Sequence, residues 1–234
     1  MNRPLPLVLA ALALLLAGTA GALTYHEAKV TCPLDGTVIA YDAMGSGTSF
    51  GQRLDLMPIG PIDATPPLPK CPEDHFIVFE EALSPAELAK VKALVATAKY
   101  RALAEKGPEY GALALIFETL GRPDEMIAFA WLRASWQTEG DAKANRRFLA
   151  ASLDRYRAAL KAELPLERRF QVGLIAGELE RRLGQFDAAA KRFGELEALP
   201  FANAAPFDRI VARQKALIAE KDSAPHPIPK ADQK

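Results

Sequence analysis

A capped helix start at Ser84 divides the chain and constrains its fold more than any other feature. In Ser84-Pro85-Ala86-Glu87 the serine hydroxyl can accept a free backbone N–H. Proline fits the first helical turn, and Glu87 can bond back to the N–H of the cap. Downstream, apolar residues recur at three- and four-residue steps, whereas upstream the chain is punctuated by proline and glycine. The reading is α+β and mostly α: a small β-rich module over 23–83, then antiparallel helical hairpins over 84–222.

Periodicity through Leu88, Val91, Leu94 and Val95 predicts one helix that ends at Gly107-Pro108. Further helices are expected over about 109–120, from Pro123 through Trp136, from Asp141 to Leu160, and over 166–182, 186–198 and 205–220. Met126, Ile127, Phe129, Ala130 and Trp131 make the third helix apolar almost all round, so it should be deeply buried, with Trp131 and Trp136 as core. Glu178 and Glu180 with Arg181 and Arg182 read as a solvated helix face. The tail 223–234, rich in proline, reads as an unstructured arm on which His226 is merely solvated.

Within 23–83, Val38-Ile39-Ala40-Tyr41 and Phe76-Ile77-Val78-Phe79 have strand length and strand composition. Between them, Pro58, Gly60, Pro61, Pro66, Pro67 and Pro69 disfavour helix. This connection is expected to wrap on the helices, since Phe50, Leu54, Leu56, Met57 and Ile59 would otherwise be exposed.

Residues 1–22 have the pattern of a secretory signal peptide. Arg3 supplies the charged start, Leu5 to Ala17 the short apolar run, and Ala20-Gly21-Ala22 an A-x-A-like cleavage site. The apolar run is shorter than the roughly 20 residues of a comfortable membrane span. The expected product is periplasmic or secreted, with no stable membrane anchor after cleavage. Its loss of Arg3 leaves 28 basic and 29 acidic residues. That balance gives no basic footprint for nucleic acid.

Two similar turns carry the distinctive chemistry: Cys32-Pro33-Leu34-Asp35-Gly36 and Cys71-Pro72-Glu73-Asp74-His75. In an exported chain two cysteines read as one disulfide. The alternative is a four-ligand zinc site of Cys32, Asp35, Cys71 and Asp74, with two thiolates and two carboxylates, or with His75 in place of Asp74. Free thiols are the third possibility. Neither cysteine lies in a nucleophile motif, and no catalytic residue is assigned.

Leu183-Gly184-Gln185-Phe186-Asp187-Ala188-Ala189, followed by Phe193 and Leu196 and preceded by Gly177, resembles the tetratricopeptide (TPR) pattern. There, small residues let two helices approach while aromatics fill the groove. Gly121 and Gly184 lie 63 residues apart, not a multiple of the usual ~34, so TPR-like hairpins are expected and not a regular array. Together with the two Cys-Pro turns and the run Gly51-Gln52-Arg53-Leu54-Asp55-Leu56-Met57-Pro58-Ile59-Gly60, the chain resembles an uncharacterised bacterial family over about 28–200. That family joins a CPxC…CPxC zinc-ribbon-like segment to TPR-like helices. Cys32 and Cys71 match its motif; Asp35 and Asp74 stand where it has cysteine. The resemblance implies architecture and no activity.

The functional expectation is a non-enzymatic binding or scaffold protein of the cell envelope, whose helical surface contacts a protein or peptide and which needs no cofactor. The alternative is a metal-dependent factor or enzyme centred on the two turns.

Overall fold

The computed structural model describes residues 23–80 and 82–231. The signal-peptide and cleavage expectations lie outside the described residues.

Strand β1 (Thr24–Thr31) pairs antiparallel with β2 (Val38–Ser46), Val30 opposite Ile39. The expected strand at Val38–Tyr41 lies within β2. Its partner β1 was not anticipated, because the polar stretch His26-Glu27-Ala28-Lys29 hides the signal. A second, minimal pair joins β3 (Gly51–Gln52) to β4 (Pro58–Ile59). Phe76–Phe79 forms no strand. The N–H of Ile77 donates to the Tyr100 hydroxyl and that of Val78 to the Pro69 carbonyl, so only a single bridge from Lys70 to Ile77 remains. Phe76, Ile77 and Val78 are nonetheless buried.

Eight α-helices follow among the described residues: α1 (Pro85–Val95), α2 (Ala98–Lys106), α3 (Glu109–Leu120), α4 (Asp124–Trp136), α5 (Ala142–Ala159), α6 (Leu166–Arg182), α7 (Phe186–Glu197) and α8 (Phe207–Ala219). The Ser84 capping box forms in full. The single helix expected from Ser84 to Gly107 is two. Thr97 breaks it: its hydroxyl donates to the Leu94 carbonyl and accepts from the Tyr100 N–H, ending one helix and capping the next. Gly121, with φ of 69°, ends α3 in the left-handed conformation that glycine adopts most readily.

One core joins both parts of the chain. Cys32, Cys71, Phe76 and Ile77 pack in the same buried cluster as Val91, Tyr100, Ile116, Trp131 and Phe148. A second cluster binds α4, α5 and α6 through Leu132, Leu153, Val172 and Leu179. A third joins α6, α7 and α8 through Phe170, Phe193 and Val211. Trp131 and Trp136 are core residues, but Met126 and Phe129 reach the surface, so α4 is not buried all round. The α6–α7 approach depends on absent side chains. A Cβ on Gly177 would stand 2.6 Å from Phe193, and one on Gly173 would stand 2.8 Å from Leu196.

The Pro-rich connection wraps as expected at Leu54, Leu56 and Met57, whereas Phe50 is 62% exposed and Ile59 38%. The described part of the tail departs from the expected free arm. The Leu54 N–H donates to the His226 carbonyl and the Ile228 N–H to the Gln52 carbonyl, flanking a bridge between Arg53 and Pro227.

Candidate functional site

The two Cys-Pro turns repeat one another bond for bond. In the first, the Cys32 N–H donates to the Thr37 carbonyl, the Gly36 N–H to the Cys32 carbonyl, and the Thr37 N–H to the Asp35 carboxylate. In the second, Cys71 donates to Phe76, His75 to Cys71, and Phe76 to the Asp74 carboxylate. Gly36 and His75 fill the matching position at φ of 81° and 56°. The turns face each other, and Cys32 and Cys71 form a disulfide, with Cα atoms 5.6 Å apart. Both cysteines are fully buried. The sulfurs are thus bonded to one another. Asp35 and Asp74, the carboxylates of the alternative zinc site, each accept a backbone N–H and are engaged within their own turns. Among the described residues, no group of three or more His, Cys, Asp or Glu side chains converges. The three histidines stand on separate elements: His26 on β1, His75 in the second turn, and His226 beside Asp222 in the tail.

The Glu178–Arg182 segment contradicts its reading as a solvated face. Glu178 and Arg181 are fully buried and Glu180 is 1% exposed. The Arg181 guanidinium is clasped by both Glu178 oxygens, at 2.8 Å for the closest contacts. It also donates to the Gln214 amide of α8 and to the carbonyls of Asp222 and Ala224 in the tail. Gln214 closes the ring by donating to Glu178 at 2.8 Å. On the neighbouring side, Glu180 is paired with Arg157 of α5 and Arg192 of α7. Arg182 reaches Asp55 of the wrapped connection, which Arg53 also holds. Every turn at this end of α6 is thus covered, by α5, α7, α8, the tail or the 53–57 loop. Burial pushes the Glu178 carboxyl up to about 7, against the opposing pull of Arg181 and Gln214. All these groups are satisfied by the protein itself, so the cluster is a clamp and offers no open site.

The sequence does carry a signal for this burial. Gly173 and Gly177 mark close approach on one face of α6, while Val172 and Leu179 mark another. A helix packed on two faces leaves little room for a solvated one.

An open groove of about 680 Å³ lies between α2, the end of α3, α4 and α5. Leu103, Trp131 and Phe148 form its floor. The Trp131 and Phe148 rings stack with centroids 5.6 Å apart and planes 14° from parallel, and the Arg147 guanidinium lies 4.5 Å from the Phe148 ring centroid. The Trp131 indole N–H donates to Glu118, which Arg155 neutralises at 2.9 Å. Small residues, Ala102, Ala151 and Ala158, leave the walls low. Among the described residues Lys99, Arg147 and Asp154 on the rim take part in no ion pair, so the rim carries a net positive charge. The indole was legible in sequence as core; its place at the foot of a groove was not.

Comparison with protein-family models, with curated proteins and with solved structures finds no match to this chain. The class is therefore defined by the fold: an α+β, mostly helical protein whose small disulfide-bonded β module shares a core with the hairpins.

Proposed function

We propose that the chain is an exported, non-enzymatic binding or scaffold protein of the cell envelope, and that the α2–α5 groove receives an extended segment of a partner protein. The groove carries this reading. An apolar, aromatic floor accepts an apolar side chain, and the unpaired Lys99 and Arg147 favour acidic residues beside it. The Cys32–Cys71 disulfide supports an oxidising compartment. No described helix is long and apolar enough to cross a membrane, and residues 1–22 carry the signal-peptide pattern. The glycine-mediated approach of α6 and α7 supports the TPR-like reading of the hairpins. The resemblance to the zinc-ribbon-like bacterial family extends it to the paired turns.

The test is a fluorescence-anisotropy titration with acetylated, amidated peptides that carry a central Phe flanked by Glu, Gln or Lys. The Glu-flanked peptide binds tightest, and Lys99→Glu with Arg147→Glu removes that preference. Absence of binding by the whole set would count against the groove as a peptide site.

A further inference from the structure

Away from this groove, two smaller hollows meet. One, of about 290 Å³, is lined by Met126, Phe129 and Tyr156. The other, of about 320 Å³, is lined by Phe207, Ile210 and Ile228. Leu56, Arg168 and Ile175 line both, so the two adjoin at those residues.

The polar groups along this path are few and specific. Tyr156 is 3% exposed, and among the described residues its hydroxyl has no hydrogen-bond partner. The ring is buried but the hydroxyl is not sealed off: it opens into the first hollow, where a ligand oxygen can accept its proton. Burial raises the Tyr156 pKa well above that of an ordinary tyrosine, so the group remains a donor at any physiological pH. Beside it, Glu125 and Arg168 are paired with each other, and Arg168 also donates to Gln171. Their charges cancel, which favours an uncharged head group. Beyond Leu56 the walls are mostly apolar, with Leu54, Leu174, Phe207, Ile210 and Ile228; the polar groups there are the side-chain amides of Gln52 and Gln171 and the Arg168 guanidinium already paired with Glu125. A peptide brings an N–H and a C=O with every residue, each needing a partner. An alkyl chain needs none.

The geometry points to a site for a single-chain lipid with an uncharged oxygen head group: its oxygen accepts from the Tyr156 hydroxyl, and its alkyl chain runs past Leu56 into the second hollow. This site is independent of the peptide groove.

The experiment is a calorimetric titration of the full chain with 1-alkanols from octanol to tetradecanol, each below its solubility limit, followed in parallel by methyl NMR. Affinity rises by about fourfold per added methylene until the hollows are filled. The Met126 and Ile175 methyl signals shift, while the Trp131 indole signal does not. Tyr156→Phe weakens every alkanol by about three- to tenfold and leaves the dependence on length unchanged. Met126→Lys, at a position 43% exposed that the fold tolerates, weakens binding as well. Alkanoates and alkylammonium ions of equal length bind less tightly than the alcohol. Affinity that ignores chain length, a Tyr156→Phe protein that binds like the parent, or shifts confined to Trp131 would each overturn the assignment.

Discussion

Arg181 is held by both carboxylate oxygens of Glu178, one turn before it on α6, and neither side chain has any exposed surface. A bidentate pair with no access to water depends on both partners. Above about pH 7, where Glu178 is ionised, removing Arg181 leaves the carboxylate without its partner in a dry site. Arg181→Met should therefore lower the unfolding free energy by roughly 3–5 kcal/mol, while Arg181→Met with Glu178→Leu recovers much of that loss. Urea denaturation of the two variants and the parent measures the difference.

The same carboxylate makes stability depend on pH. In the folded chain Glu178 keeps its proton up to about 7, against an ordinary value of 4.5. Between those values the folded state binds more protons than the unfolded state, so this group makes stability fall as pH rises. The contribution is fully present below about 4.5 and gone above about 7. Glu178→Gln should flatten that part of the profile in thermal melts across pH 4–8, buffers being matched in ionic strength.

The disulfide closes a loop of 39 residues. Chain entropy puts its stabilisation at no more than about 4 kcal/mol. Cys32→Ser with Cys71→Ser should lower the melting temperature and loosen the β1–β2 module first. Hydrogen exchange reads this as lost protection at the Cys32 and Cys71 amides before α4 and α5 are affected.

Gly177 and Gly173 should respond differently to alanine. At Gly177 the new Cβ would meet the ring of Phe193, which is buried and fixed; at Gly173 it meets a terminal methyl of Leu196. Gly177→Ala should cost about 1–3 kcal/mol. Gly173→Ala should cost less, because the leucine can rotate. Chemical denaturation of the two single variants gives the comparison.

Local chemistry was legible in the sequence where the partners lie within a turn of each other. The Ser84–Glu87 capping box and the Gly121 stop formed as read, and helices α3 to α8 lie close to their expected spans. Thr97 escaped notice because no Gly or Pro stands between Val95 and Gly107 to mark the break, and only the threonine hydroxyl ends the ladder. Phe76–Phe79 had strand composition, but its backbone bonds go to a distant tyrosine and to Pro69. Glu178, Glu180, Arg181 and Arg182 looked solvated because their partners, Asp55, Arg157, Arg192, Gln214 and the tail carbonyls, are far apart in sequence. For the same reason the tail looked free. Its described residues are held by Arg181 and by the backbone at Gln52 and Leu54, contacts no local pattern encodes. The groove is the extreme case, since four helices had to be placed before Trp131 could be seen at its foot.

The claim that this groove receives a partner segment is tested most directly at Trp131, one of only two tryptophans in the chain. Each indole N–H gives a separate signal in a nitrogen–proton correlation spectrum, and Trp136, outside the groove lining, serves as the internal reference. Titration with the Glu-flanked Phe peptide should move the Trp131 signal progressively to saturation while Trp136 stays in place. The shift should vanish in Lys99→Glu with Arg147→Glu at the same peptide concentration. A Trp131 signal that never moves, or that moves only together with Trp136, would contradict the account.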